Sequence, residues 1–97
     1  MQLAKVLGQV VSTVKEPGLE RFTLLLVQDA SGADPEQTRG PAYVAVDVVG
    51  AGVGEVVLVA TGGAARVAAG AEIPTDRAVI AIADTVIRAG TVSYRKT

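Results

Sequence analysis

Several residues of this 97-residue chain have the types and spacing that chemistry could use. Gly50-Ala51-Gly52-Val53-Gly54 invites comparison with a dinucleotide loop. Such loops hold a pyrophosphate when they follow a strand, open a helix and space their glycines G-x-G-x-x-G. Here the spacing is different, and the downstream Glu55 to Thr61 has the composition of a strand. The run reads instead as a tight strand-to-strand connection, in which glycine supplies positive φ or close backbone approach. Gly62-Gly63-Ala64-Ala65-Arg66 could bare helix N–H groups beside a cation and so hold an anion. A flexible turn with Arg66 in a salt bridge or a subunit contact is the plainer use. Asp47 and Asp84 each sit near the end of an apolar strand. A converging pair could do acid–base work, whereas strand-end capping or an ion pair needs no cleft. Ser12, Ser31 and Ser93 have no base partner beyond lysine.

The composition excludes more than these motifs suggest. There is no Cys and no His, which removes the usual zinc sites, disulfides, and Cys–His or Ser–His nucleophiles. Ten acids against nine bases leave a net charge of −1, so no strong field draws nucleic acid or anionic lipid. The three aromatics, Phe22, Tyr43 and Tyr94, are too few for a stacking platform. The start lacks a targeting signal, and no apolar run approaches the ~20 residues a membrane helix needs. A soluble cytosolic protein without catalytic activity, metal or cofactor is expected.

The positioning elements are mostly strands. Valine fills 17 of the 97 positions, and branched side chains pack well on pleated surfaces. Strands are expected over Leu3 to Val14, Phe22 to Gln28, Tyr43 to Val48 and Glu55 to Thr61. In the first, Ala4, Val6, Gly8, Val10 and Val14 should share one face. A turn is expected at Glu16-Pro17-Gly18 and an exposed loop from Asp29 to Pro41. Ala64 to Ala69 has the best helix propensity and ends at Gly70. Ala78 to Ile87 fits either a strand or a buried helix, with Ile80, Ile82 and Val86 favouring a strand, and Thr91 to Arg95 fits a short edge strand. The sum is one domain over residues 1–97, mainly β, most simply a small closed barrel with one short helix. An apolar content of 49% exceeds what one small core uses, so the surplus should lie between subunits.

Taken together, these segments resemble the EutN/CcmL family of pentameric microcompartment vertex proteins. The likeness begins at Ala4 to Thr13, continues through Leu24 to Gln28, and is strongest from Val44 to Glu55. There Asp47, Val49, Gly50, Ala51, Gly52, Gly54, Glu55, Val57, Leu58 and Val59 match a D-x-V-G-A-G-x-G-E-x-V-L-V pattern. Gly62, Gly63, Ala65 and Arg66 answer the family's G-S-x-A-R, with Gly63 in place of the usual Ser. Pro74 and Asp76 match its P-x-D piece, and Ile82-Ala83-Asp84 with Val86 its closing I-[IV]-D-x-V. The Leu19 to Thr23 entry to the second strand departs from the usual L-x-G-x-K, and Ala83 replaces a larger aliphatic residue.

The resemblance implies a five-stranded barrel of oligonucleotide-binding-like topology that assembles as a cyclic homopentamer. It also implies contact with hexameric shell proteins in a bacterial microcompartment shell, and puts Thr61, Gly62, Gly63 and Ala64 near the five-fold axis. A small-barrel binding module for an anion or nucleic acid is the alternative. A bulky charge in place of Gly52 or Ala65 is expected to impair assembly.

Overall fold

The computed structural model describes residues Met1–Lys96. In chain order the elements are β1 (Gln2–Val10), a 3-10 turn (Pro17–Leu19), β2 (Thr23–Asp29), β3 (Tyr43–Asp47), β4 (Val56–Thr61), α1 (Gly62–Ala69), β5 (Arg77–Ile82), β6 (Thr85–Arg88) and β7 (Thr91–Arg95). Five of the strands close a barrel in the order β1-β2-β3-β5-β4. All its pairings are antiparallel except β3 with β5. The barrel and its single short helix are those expected from the sequence.

Alternation along the strands sorts side chains between two cores. Ala4, Val6, Leu25, Val27, Ala45, Val57, Val59 and Val79 fill the barrel. Their small and branched shapes suit a narrow interior, where a larger aromatic core would not close. A second cluster lies outside the barrel wall: Val46, Ala60 and Ala78 of the strands meet Ala65 and Ala69 of α1, together with Ile73. Ala65 and Ala69 stand one turn apart on the same helix face, and alanine on alanine lets the helix axis approach the sheet closely. Gly70, at φ +125°, ends the helix and donates its N–H to the Arg66 carbonyl at 2.7 Å.

Two strand expectations need correction. β1 stops at Val10 rather than Val14, because its pairing with β2 ends at Leu24 and the next residue, Thr23, pairs only with β3. Val11 and Val14 are left 83% and 87% exposed. Alternation also breaks at Leu7, where the register shifts between Val6 and Gly8. Gly8 thereby pairs with outward-facing Leu26, so it does not share the inner face of Ala4 and Val6.

The segment from Ala78 to Ile87 is two strands. β5 leaves the barrel after Ile82, where the Ala83 N–H still reaches the Val56 carbonyl at 2.8 Å and β4 has ended. The chain then pairs with its own continuation, and β6 with β7 form a separate two-stranded sheet. Thr91 to Arg95 is thus a strand, as expected, but it is an edge of this hairpin and not of the barrel.

Ala65 is completely buried between α1 and the sheet. A charge there acts on the subunit's own core before it acts on any interface. Ala65→Glu is expected to cost roughly 4 kcal/mol or more, seen in urea unfolding as loss of the folded monomer. Gly52 is different: it is exposed, and an added Cβ would meet only the Glu55 side chain, with Oε1 at 3.3 Å.

Candidate functional site

The glycine run joins β3 to β4, and two carboxylates fold it. Asp47, the last residue of β3, accepts from the Val49 and Gly50 N–H groups through Oδ1, at 3.1 and 3.0 Å. Its Oδ2 accepts from the Ala51 N–H at 2.9 Å. Glu55 Oε1 takes the next donor, the Gly52 N–H, at 2.5 Å. Successive N–H groups converging in this way make a nest for an anion, but the nest is already filled by the chain's own side chains. That is the physical reason the run is no phosphate loop. Gly50 and Gly54 adopt φ of +81° and +89°, conformations a side chain would resist. The turn is fastened to β1 as well: Gly54 N–H donates to the Val6 carbonyl at 2.8 Å, and Val6 N–H to that of Glu55 at 3.0 Å.

Glu55 also reaches the far end of the chain. Its Oε2 lies 2.6 Å from Lys96 Nζ, while the Lys96 N–H donates to the Asp84 carbonyl at 2.7 Å. The ammonium and the Gly52 N–H hold the Glu55 carboxyl below its usual range, and the carboxylate in turn raises Lys96. Asp47 and Asp84 therefore share no acid–base duty. The first is engaged with backbone N–H groups, and the second is exposed at the β5–β6 junction. The chain also carries two Ser-x-x-Lys spacings, Ser12/Lys15 and Ser93/Lys96. Neither is assembled, since Ser12 and Ser93 donate to the Val14 and Gly32 carbonyls while Lys15 reaches the Phe22 carbonyl. Among the described residues no cluster of three metal-ligating side chains occurs.

Gly62, at φ +60°, opens α1 and donates its N–H to the Asp76 carbonyl at 2.8 Å. Arg66 lies in the last turn of the helix, exposed, and not at the N–H end where an anion would sit. Gly62, Gly63 and Ala64 are exposed, and Thr61 is half-buried.

One cluster escaped the sequence reading. Tyr43 Oη donates to Asp29 Oδ1 at 2.8 Å, and the Arg77 guanidinium stacks over the Tyr43 ring at 5.3 Å. Burial and the Asp29 carboxylate push the Tyr43 phenol well above its usual value. The three residues come from β2, β3 and β5, and no local spacing could have joined them.

Two apolar rows lie on the barrel's outer wall. One row crosses β1, β2 and β3 through Gly8, Leu26 and Val44, the last 46% exposed. A second row crosses β1, β4 and β5 through Leu3, Leu58 and Ala81. Each residue of that second row is only half-covered. The two rows occupy different parts of the wall and differ in side-chain shape.

Comparison with known proteins decides the lineage. The family described as "Ethanolamine utilisation protein EutN/carboxysome" matches residues 1–84. The chain belongs to the EutN/CcmL family. It is 52% identical over 99 residues to the carboxysome shell vertex protein CcmL of Synechocystis sp., covering 99% of this chain and 95% of that one. A solved ethanolamine utilization protein, EutN, superposes with a TM-score of 0.92 at 40% identity, over the full length of both chains. The pentameric microcompartment shell protein GrpN of Rhodospirillum rubrum superposes with a TM-score of 0.81 at 41% identity, over 91% of this chain and 99% of that one. Within this family member, the pattern running from Asp47 to Glu55 is the turn that the two carboxylates fold.

Two outcomes follow from this geometry. Asp47→Ala strands three backbone donors and is expected to lower stability by about 2–3 kcal/mol, read as a shift of the urea midpoint. Asp47→Asn should recover part of that. The Glu55–Lys96 contribution has a defined pH window. Because the Glu55 pKa is lowered, the contribution is present above the ordinary carboxylate range and lost as pH falls through the folded value. Because that of Lys96 is raised, it is present below the ordinary lysine range and lost as pH rises through the folded value. The stability difference between wild type and Lys96→Gln should therefore be largest between roughly pH 5 and pH 10 and shrink at both extremes.

Proposed function

We propose that this protein is a structural shell component of a bacterial microcompartment in the bacterial cytoplasm, a homopentamer that caps the vertices of the polyhedral shell. The observation that carries the reading is the pair of unlike apolar rows on one closed barrel, Gly8–Leu26–Val44 and Leu3–Leu58–Ala81. A cyclic ring repeats a heterologous contact, in which one face of each subunit docks on a different face of the next. Two complementary faces on one wall are what such a ring needs, and a two-fold dimer would need only one. The names of the relatives support the same reading.

Hexagonal tiles alone cover a plane, and closing that sheet into a polyhedron requires pentagons at its corners. The work is geometric, with no bond made or broken. The outer rim of the ring meets the edges of hexameric shell proteins. Thr61, Gly62, Gly63 and Ala64 face the central opening, which Gly63 leaves without a hydroxyl. The self-filled nest at Asp47 and the distance of Arg66 from the helix's N–H end argue against an anion-binding module.

Native mass spectrometry of the wild type should give a five-subunit species. Leu26→Glu and Leu58→Glu should each reduce it to folded monomer. Mixing the two variants should yield a dimer through the one joint that remains intact, with no larger ring. A monomeric mixture, or a variant that stays pentameric, contradicts the two-face arrangement.

A further inference from the structure

The β6–β7 hairpin stands apart from the barrel. It forms a sheet of its own and makes only marginal contact with the barrel strands, drawing the molecule out to 44 × 23 × 23 Å. An isolated two-stranded hairpin is at best marginally stable in water. This one has further handicaps. Its turn puts both Ala89 and Gly90 at positive φ, +52° and +78°; a two-residue loop of this twist favours Asn-Gly, and alanine there costs about 1–2 kcal/mol. Its cross-strand pair Ile87 and Val92 is 66% and 42% exposed. The ties to the rest of the chain are polar: Lys96 to Glu55 and to the Asp84 carbonyl at the base, and Ser93 Oγ to the Gly32 carbonyl at 3.0 Å. None covers the Ile87–Val92 pair.

We propose that the hairpin is an intersubunit arm, ordered by docking on a second copy of this chain. This rests on the ring assembly argued above. The chain leaves the barrel after Ile82, next to Ala81, and the arm begins at Thr85, so it extends from the β1–β4–β5 row assigned above to the ring contact. Extended at about 3.4 Å per residue, it reaches past its own barrel toward the next subunit. The opposite wall offers a matching seat. A hollow of about 180 Å³ is lined by Leu19, Leu24, Val44, Val46, Pro74 and Asp76, beside the β1–β2–β3 row. It is open to solvent, with Thr75 and Asp76 among its lining, and its volume is sufficient for an isoleucine side chain. The charges also suit. Residues 85–95 carry Arg88 and Arg95 and no acid, whereas the hollow presents Asp76, 79% exposed and only loosely held by Arg77 at 3.4 Å. Ile87 seats in the neighbour's hollow, with Arg88 toward its Asp76.

The chain has no cysteine, which makes a cross-linking test clean. Ile87→Cys and Val44→Cys chains, differently tagged, are co-assembled and treated with a short bis-maleimide. A covalent dimer containing one of each chain is expected, and none from the Ile87→Cys chains alone. Hydrogen exchange supplies a readout that needs no substitution in the arm. Amides of β6 and β7 should exchange about tenfold or more slowly in the wild-type ring than in the Leu58→Glu monomer. Intact five-membered rings with no mixed dimer and equal exchange overturn the arm while leaving the assembly reading in place. Protection that arises only on adding hexameric shell protein assigns the arm to that partner and overturns docking on a second copy. A wild type that is monomeric in native mass spectrometry overturns both.

Discussion

Closure of the barrel is the constraint from which the rest follows. The order β1-β2-β3-β5-β4 requires β4 to leave its predecessor and pair with β1, and β5 to return and fill the gap beside β3. Two connections make that order possible. The first is the glycine turn, whose N–H groups would be stranded in so tight a connection had Asp47 and Glu55 not taken four in succession. The second is α1, which spans β4 to β5 and covers the outside of the wall as it passes. One connection is held by carboxylates and the other by alanines, and both are settled by local residue choice.

The parts legible in the sequence are those governed by neighbours along the chain. Val and Leu runs between Gly and Pro marked β2, β3 and β4, and Asp47 with its glycines marked a connection where a ligand loop was the competing reading. What the sequence hid depends on partners distant in the chain. β1 stops at Val10 because its ladder with β2 ends at Leu24, and no property of Val11 or Val14 reveals that. β5 and β6 look like one strand because Ala78 to Ile87 alternates without a break; the division is set by where β4 begins. The Tyr43–Asp29–Arg77 cluster and the Glu55–Lys96 pair arise only after folding. Ala65 read as a helix former whose replacement by a charge would impair assembly, yet its neighbours Ala60 and Ala78 enclose it within the subunit.

The same wall explains the composition noted at the outset. Both interior clusters are built from alanine and medium-sized aliphatic residues, which leave Leu3, Leu26, Val44 and Leu58 half-covered outside. The lack of Cys and His costs such a molecule nothing, since every carboxylate at the turn serves the backbone or an ion pair. Chemistry has been displaced by fit.

The helix-backed wall also has a mechanical meaning. β3, β5 and β4 carry packed side chains on both faces, inside the barrel and beneath α1, while β1 is packed on the inner face alone. Dense interiors compress little and transmit strain. Bending stress on the subunit would pass through the doubly packed side almost unattenuated, and flexure would concentrate along β1, where the bulge at Leu7 already interrupts the ladder. The barrel is thus stiff on one side and compliant on the other, a built-in hinge line for a piece that must sit where flat facets meet at an angle.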